Sequence, residues 1–231
     1  MMKTVGIIGA MEEELEYISQ AVQVVAKKEI AGMLFSVGKA GDKGVVLVQS
    51  GIGKVNAAIC TQILIDSFAV DEVISMGVAG AVSPELSLGD LVISSDAVEH
   101  DMDTTAFGDP VGIIPRMDES YFKADPELVA AAEAAAQALE MRYFLGRVGS
   151  GDQFVSSPKD KERIGRLVQA TCVEMEGAAI AHACYLNHIP YVILRAISDM
   201  ADGGAEVQYE DFMKDAARRA GLLIEEMLKR L

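Results

Sequence analysis

Val173-Glu174-Met175-Glu176-Gly177 and, nineteen residues beyond Glu176, Arg195-Ala196-Ile197-Ser198-Asp199 bracket the stretch that decides the fold. Each string closes an apolar, β-prone run. Between them, Glu176 to Asn187 reads as a helix and Tyr191 to Ile197 as a strand. Strand, helix, strand is the repeating unit of an α/β domain. Strand ends of this kind deliver charged side chains to the lip of a sheet, where ligands of open α/β proteins bind. A buried carboxylate is costly unless it is paired or functional. Glu174, Glu176, Asp199 and Arg195, delivered this way, point to an acid/base site rather than to ordinary surface.

The alternation extends over the whole chain. Thr4 to Gly9 reads as a buried strand, and Met11 to about Val24 as a helix with an acidic first turn, which suits its dipole. Ile30 to Val37 and Lys43 to Gln49 read as a strand pair around Gly38 to Asp42. Lys54 to Phe68 is a predicted helix; Asp71 to Met76 and Asp90 to Val98 are predicted strands. His100 to Ser120 is the longest irregular stretch, and a long loop in a compact domain is usually functional. Pro126 opens a helix to about Met141 with Asp125 as N-cap. Tyr143 to Val148 is a predicted strand and Lys159 to Leu167 a short helix. The last helix is expected from about Glu210 to Leu231, with the stripe Phe212, Ala216, Ala220, Leu223, Met227, Leu231 packed on the sheet. With no linker, repeat or low-complexity tract, residues 1–231 are expected to form one α/β domain around a central mixed, twisted sheet flanked by helices.

Composition narrows the function. The 231 residues carry 35 acidic against 20 basic side chains, a formal net charge of −15. Nucleic acid needs a basic footprint and an anionic membrane surface needs the same, so neither is an expected partner. No stretch reaches a membrane span. Cys60, Cys172 and Cys184 form no CxxC pair and lie in apolar runs, as free cysteines of a reducing compartment do. Without a signal-peptide pattern at the start, a cytoplasmic location is expected.

Several strings invite other readings. Gly51-Ile52-Gly53-Lys54 looks like part of a phosphate loop, but Val48 and Val55 stand where that loop needs Gly and Ser or Thr. A tight turn into the helix at Lys54 fits better. Gly77-Val78-Ala79-Gly80 lacks dinucleotide spacing, although a glycine pair lets backbone approach a ligand closely. His100-Asp101-Met102-Asp103 has no second cluster to complete a metal site. His182 and His188 read as structural. Glu14, four residues after Ala10, faces the end of the first strand. Two readings stay open for it, an acidic helix start and a catalytic carboxylate.

The strings Gly6-Ile7-Ile8-Gly9-Ala10-Met11-Glu12-Glu13-Glu14, Ser50-Gly51-Ile52-Gly53-Lys54, Ser150-Gly151-Asp152, Val173-Glu174-Met175-Glu176 and Arg195-Ala196-Ile197-Ser198-Asp199 together resemble the 5′-methylthioadenosine/S-adenosylhomocysteine nucleosidases of the nucleoside phosphorylase superfamily. The likeness runs in order over nearly the whole chain. It implies a homodimer that hydrolyses the N-glycosidic bond of these nucleosides; with no credible metal cluster or dinucleotide fingerprint in the sequence, that hydrolysis is expected to need no metal or cofactor. By this resemblance Asp199 protonates adenine at nitrogen-7, Ser198 orients Asp199, and Glu14 activates the attacking water. Glu176 holds the ribose hydroxyls, with Met175 against the sugar and Arg195 as a nearby charge partner. Phe154 stacks on adenine and the Val155 backbone reads its edge. Ile52, Val78, Gly80 and Tyr209 line the rest of the pocket. Phe107 and Pro115 close the 5′-alkylthio pocket of the neighbouring subunit. Asp109 stands where some members carry an aromatic residue, which bears on 5′ preference.

The chemistry suits these residue types. Cleavage leaves positive charge on the sugar and negative charge on the base, so an acid at the base and carboxylates around the ribose both help. An anion at Glu14 repels an anionic nucleophile and favours water over phosphate. Related readings are a nucleosidase for another adenine nucleoside such as 6-amino-6-deoxyfutalosine, a phosphorylase, and a nucleoside-binding protein without catalysis. The last has no use for a water-positioning carboxylate.

Overall fold

Thr4–Gly9 forms the first strand, β1, in a computed structural model that describes residues 3–231. Every β1 residue after Thr4 is buried, because β1 lies between two parallel neighbours. One is β4 (Lys43–Gln49), the other β5 (Glu72–Ala81). Continuous apolar runs are what such doubly covered strands require. The remaining strands are β2 (Gln23–Ile30), β3 (Met33–Ala40), β6 (Leu91–Glu99), β7 (Phe122–Lys123), β8 (Tyr143–Ser150), β9 (Cys172–Glu174) and β10 (Tyr191–Asp199). The helices are α1 (Glu12–Ala21), α2 (Lys54–Phe68), α3 (Pro126–Ala138), α4 (Pro158–Val168), α5 (Gly177–Asn187) and α6 (Ala205–Leu228).

The sheet is mixed, as expected, and part of it closes on itself. β5 pairs with β10, β10 with β6, β6 with β8, β8 with β9, and β9 returns to β5. The first half of β5 borders β1 in the open sheet; its last residues, Gly80 and Ala81, border β9 in the ring. A strand of ten residues, all buried, is long enough to serve both. Closure is one way for a large twisted sheet to avoid a second open edge. The open side ends in the antiparallel ribbon β4-β3-β2.

Alternate residues of the strands feed opposite cores. Val192, Leu194 and Ala196 of β10 join a core under α1, α3 and α6; Tyr191, Ile193 and Ile197 join one under α2 and α5. A smaller cluster, including Val98, Val155, Ile164 and Val173, sits beneath α4.

Several boundaries differ from the sequence expectation. The first helix stops at Ala21, and Gln23–Ile30 is an edge strand whose side chains are almost all exposed. Such a strand has no buried face to imprint alternation on the sequence. Its turn is Ala31-Gly32, both at positive φ (52° and 76°), as a two-residue hairpin requires. Gly38 to Ala40 continues β3 rather than forming a turn. The two-residue strand β7, paired with β6, is too short to leave a pattern in the sequence. β5 and β10 each run on past Met76 and Ile197, and α6 begins at Ala205 rather than Glu210. Ala216, Ala220, Leu223 and Met227 of the expected stripe are buried, whereas Phe212 is 43% exposed.

Helix α6 packs against α1 at Gly221, where an added Cβ would lie 2.9 Å and 3.0 Å from Tyr17 Cδ1 and Cβ. Gly to Ala inside a helix ordinarily stabilises by about 1 kcal/mol. Here overpacking, at about 1–3 kcal/mol, outweighs that gain. Gly221→Ala is therefore expected to lower the urea midpoint, and Gly221→Ala combined with Tyr17→Ala to restore it.

Candidate active site

The ends of β5, β9 and β10 meet at Gly80, which lies opposite Val173 on one side and Asp199 on the other. The β5–β10 register shifts between Ile197 and Asp199, so Ser198 is the extra residue of a bulge. Bulges re-aim side chains, often beside active sites. Asp199 is buried at the strand end. Its Oδ1 accepts from the Ala201 N–H at 2.8 Å and its Oδ2 from the Ser198 hydroxyl at 2.9 Å.

Glu14 sits in the first turn of α1 and reaches back over the end of β1. Oε2 accepts from the backbone N–H groups of Ala10 (2.7 Å) and Met11 (3.2 Å), and Oε1 from that of Val78 (3.0 Å). Gly77 makes this possible: a Cβ there would collide with the Glu14 carboxylate. The glycine-flanked segment 77–80 thus admits a protein carboxylate to the β5 backbone.

Glu176 is the residue before α5, and its Oε1 accepts from the Gly53 N–H at 2.7 Å. Gly53, at φ 98°, is the N-cap of α2 and has no side chain to cap it. The Gly51 to Lys54 turn therefore presents a helix N-terminus to Glu176, and the N–H of Lys54 donates to Asp152 Oδ1 at 2.9 Å.

Behind these groups lies Glu174, which sequence reasoning noticed without giving it a task. Its Oε2 accepts from Arg195 Nη2 (2.6 Å) and Nε (3.2 Å), and from the N–H groups of Gly177 (2.8 Å) and Glu176 (3.2 Å). Its Oε1 accepts from the Ser150 hydroxyl, which itself accepts from the Ala178 N–H. Arg195 also donates to Ser75 Oγ at 3.0 Å. The direct partner of Arg195 is thus Glu174 rather than Glu176. No local signal separates the two, because residues two apart along an extended chain share a face.

These elements enclose a cavity of about 350 Å³. Of the residues expected at the site, Glu14, Ile52, Val78, Gly80, Phe154, Met175, Glu176, Ser198, Asp199 and Tyr209 line it. Met11, which carried no expectation, does too. Arg195 stands behind the wall, and Val155 is buried in the cluster beneath α4. Phe107, 89% exposed, and Pro115 lie on the outer surface of the 100–120 stretch and do not reach this chain's own cavity. His182 bonds Glu99 at 3.1 Å, and both ring nitrogens of His100 are buried without a partner among the described residues. No group of three or more His, Cys, Asp or Glu side chains among the described residues is placed to hold a metal ion.

Burial pushes the carboxyls of Glu14, Asp199 and Glu176 upward. For Glu14 it outweighs Arg195 and three backbone N–H groups. For Asp199 it outweighs the Ala201 N–H and the Ser198 hydroxyl. Glu176 is raised to about 8, by burial first and then by Glu174. Arg195 remains firmly charged: burial opposes its charge, but Glu174 and then Glu14 more than offset this.

The family model of the phosphorylase superfamily matches residues 4–229. The 5′-methylthioadenosine/S-adenosylhomocysteine nucleosidase of Marinomonas sp. (strain MWYL1) is 42% identical over 230 residues, covering 99% of each chain. The crystal structure of the same-named enzyme from Neisseria meningitidis, in complex with methylthio-immucillin-A, superposes with a TM-score of 0.96 at 39% identity, covering 100% of both chains. The native futalosine hydrolase of Helicobacter pylori strain 26695 superposes with a TM-score of 0.96 at 33% identity, covering 100% of this chain and 99% of its own.

The raised carboxyls have a consequence for stability. An unfolded Glu titrates near 4.3, so between that value and the folded one the native state holds a proton that the unfolded chain has lost. Stability then falls as pH rises through this window. Glu176→Gln removes the penalty while keeping an oxygen for Gly53. It is expected to melt at least ~2–4 °C above the wild type at pH 8.5, with a smaller gain at pH 5.5. An equal difference at both pH values would show that Glu176 is not raised.

Proposed function

The chain belongs to the 5′-methylthioadenosine/S-adenosylhomocysteine nucleosidase family of the phosphorylase superfamily, and we propose that three carboxyls of the cavity, Glu14, Glu176 and Asp199, divide the hydrolysis among them. The enzyme hydrolyses the N-glycosidic bond of 5′-methylthioadenosine and S-adenosylhomocysteine. The observation that carries the assignment of roles is that Glu14, Glu176 and Asp199 share one cavity, each in a different hydrogen-bonding environment.

Asp199 is the general acid. Ser198 and the Ala201 N–H fix its orientation, and burial favours the protonated form that adenine nitrogen-7 needs. Glu176, pinned by Gly53, binds the ribose hydroxyls, with Met175 against the sugar. Its carboxyl oxygens, turned toward the sugar, stabilise the oxocarbenium-like transition state. Glu14 takes the proton of the attacking water; burial raises its basicity and three N–H groups fix its position. Phe154 stacks on adenine, and the Val155 backbone reads its edge.

Water rather than phosphate is the nucleophile. Four carboxyl groups line the cavity and, among the described residues, no cationic side chain does; Arg195 is spent on Glu174. A second reading, hydrolysis of a futalosine-type nucleoside, is supported by the close superposition with the Helicobacter pylori futalosine hydrolase. It uses the same residues and differs at the 5′ end.

The active unit is a homodimer in the cytoplasm, serving methionine salvage. Val55, Ile59, Leu186 and Phe107 are exposed apolar side chains (69%, 44%, 61% and 89%), of the sort an isologous contact covers. Phe107 and Pro115 then reach the partner's cavity.

Adenine release from 5′-methylthioadenosine is expected to persist in excess chelator and without added phosphate; strict dependence on either would remove the reading. Asp199→Asn and Glu14→Gln should each lower turnover by ~10²-fold or more, with inhibitor binding comparatively intact. Near-normal turnover in either would reassign the acid or the base.

The dimer makes a separate prediction. Phe107→Ala should weaken 5′-methylthioadenosine more than adenosine, and sedimentation at assay concentration should give twice the chain mass. A fully active monomer would exclude the shared pocket.

A further inference from the structure

The polar side chains lining the cavity are nearly all acceptors. Glu14, Glu174, Glu176 and Asp199 are carboxyls, and the Ser198 hydroxyl is committed to Asp199. The remaining lining hydroxyl belongs to Tyr209, in the first turns of α6. It donates to Met11 Sδ at 3.2 Å. A thioether is a weak acceptor, and a partly buried Tyr hydroxyl usually finds a stronger one. Here it rests on sulfur in a cavity rich in carboxyl oxygens. Met11 ends in CH₂–S–CH₃, the same group that the 5′ carbon and its substituent form in a 5′-methylthio nucleoside.

We propose that Tyr209 determines specificity at the 5′ position: its hydroxyl leaves Met11 Sδ and donates to the thioether sulfur of the substrate, selecting sulfur over carbon there. This inference rests on the nucleosidase reading. With the base at Asp199 and the ribose at Glu176 and Met175, the wall left for the 5′ substituent is Met11, Ile52 and Tyr209. The Tyr209 ring is held edge-on to Phe154, centroids 5.7 Å apart and planes at 81°, so its hydroxyl has a fixed heading. The group remains a donor: burial, then Glu14 and other nearby carboxyls, push it up to about 12.

A 5′ group entering between Met11 and Tyr209 separates a pair now 3.2 Å apart. A sulfur restores the lost hydrogen bond with an acceptor of the same chemistry. A methylene offers the hydroxyl no acceptor, and sites built to hydrogen-bond discriminate against analogues that cannot. Met11, unbranched and polarisable, can repack against either occupant. The bond forms in ground and transition states alike, so its loss falls on KM rather than kcat.

The test compares kcat/KM for 5′-methylthioadenosine with that for its isostere bearing CH₂ in place of sulfur, in wild type and Tyr209→Phe. Intrinsic differences between the two compounds cancel in the change of the ratio. The sulfur-over-carbon ratio is expected to fall about three- to tenfold in Tyr209→Phe, through a higher KM for the sulfur substrate. A merely structural role would slow both compounds together. An unchanged ratio therefore overturns the inference while leaving the nucleosidase reading intact. Failure of the wild type to release adenine from either compound overturns both.

Discussion

The ion pair between Glu174 and Arg195, each side chain 3% exposed, is the contact on which the rest of the site depends. Two charges are removed from water here, and their attraction alone rarely repays that cost. What repays it is the number of further partners. Glu174 serves Arg195, the first N–H groups of α5 and the Ser150 hydroxyl; Arg195 also serves Ser75 and the Leu194 carbonyl. One buried pair thereby links β5, β8, β9, β10 and the start of α5. Removing either partner would leave a lone buried charge, which costs about 3–5 kcal/mol. A negative charge at a helix N-terminus is favourable in itself, so the pair also fixes where α5 begins. The residue before that first turn is Glu176.

A second helix N-terminus completes the arrangement. α2 has no cap of its own, and its first N–H groups are satisfied by Glu176 and Asp152, over a hundred and nearly a hundred residues away. Lys54 adds ion pairs to Glu99 (2.9 Å) and Asp101 (2.6 Å), and Asp101 accepts from the Asp152 N–H. The glycine turn at 51–54 is thus a clamp on a protein carboxylate, where its sequence first suggests a clamp on phosphate. The physics is shared: exposed N–H groups and a helix dipole attract an anion. The chain supplies its own.

The sequence made this site legible where residues near in the chain cooperate, and left obscure what depends on distant contacts. Asp199 with Ser198, and Glu14 over Ala10, follow from local geometry. The central strands are readable because burial on both faces writes continuous apolar runs. β2 leaves no such mark, being exposed, and the helical reading ran past Ala21 toward it. The closure of β5, β10, β6, β8 and β9 into a ring also left no sign, since pairing partners are not encoded in any one strand. The task of Glu174 depends on Ser150 and Arg195, and that of Gly53 on Glu176. Neither is visible until the fold brings them together.

The cavity joins two requirements that oppose each other. Acid and base need carboxyls shielded from water, and shielding raises Glu14, Glu176 and Asp199 at a cost in stability. The fold limits that cost with fixed N–H groups: three for Glu14, one for Glu176, one plus a hydroxyl for Asp199. Such donors carry no net charge, so they steady the carboxylates without neutralising them. A lysine or arginine in the wall would have stabilised the carboxylates more strongly. It would also have lowered their pKa values and attracted anions. Holding the carboxyls by backbone dipoles, with the arginine turned toward Glu174, leaves their pKa values raised and the acid protonatable. Both conditions favour a neutral water attacking a cationic sugar.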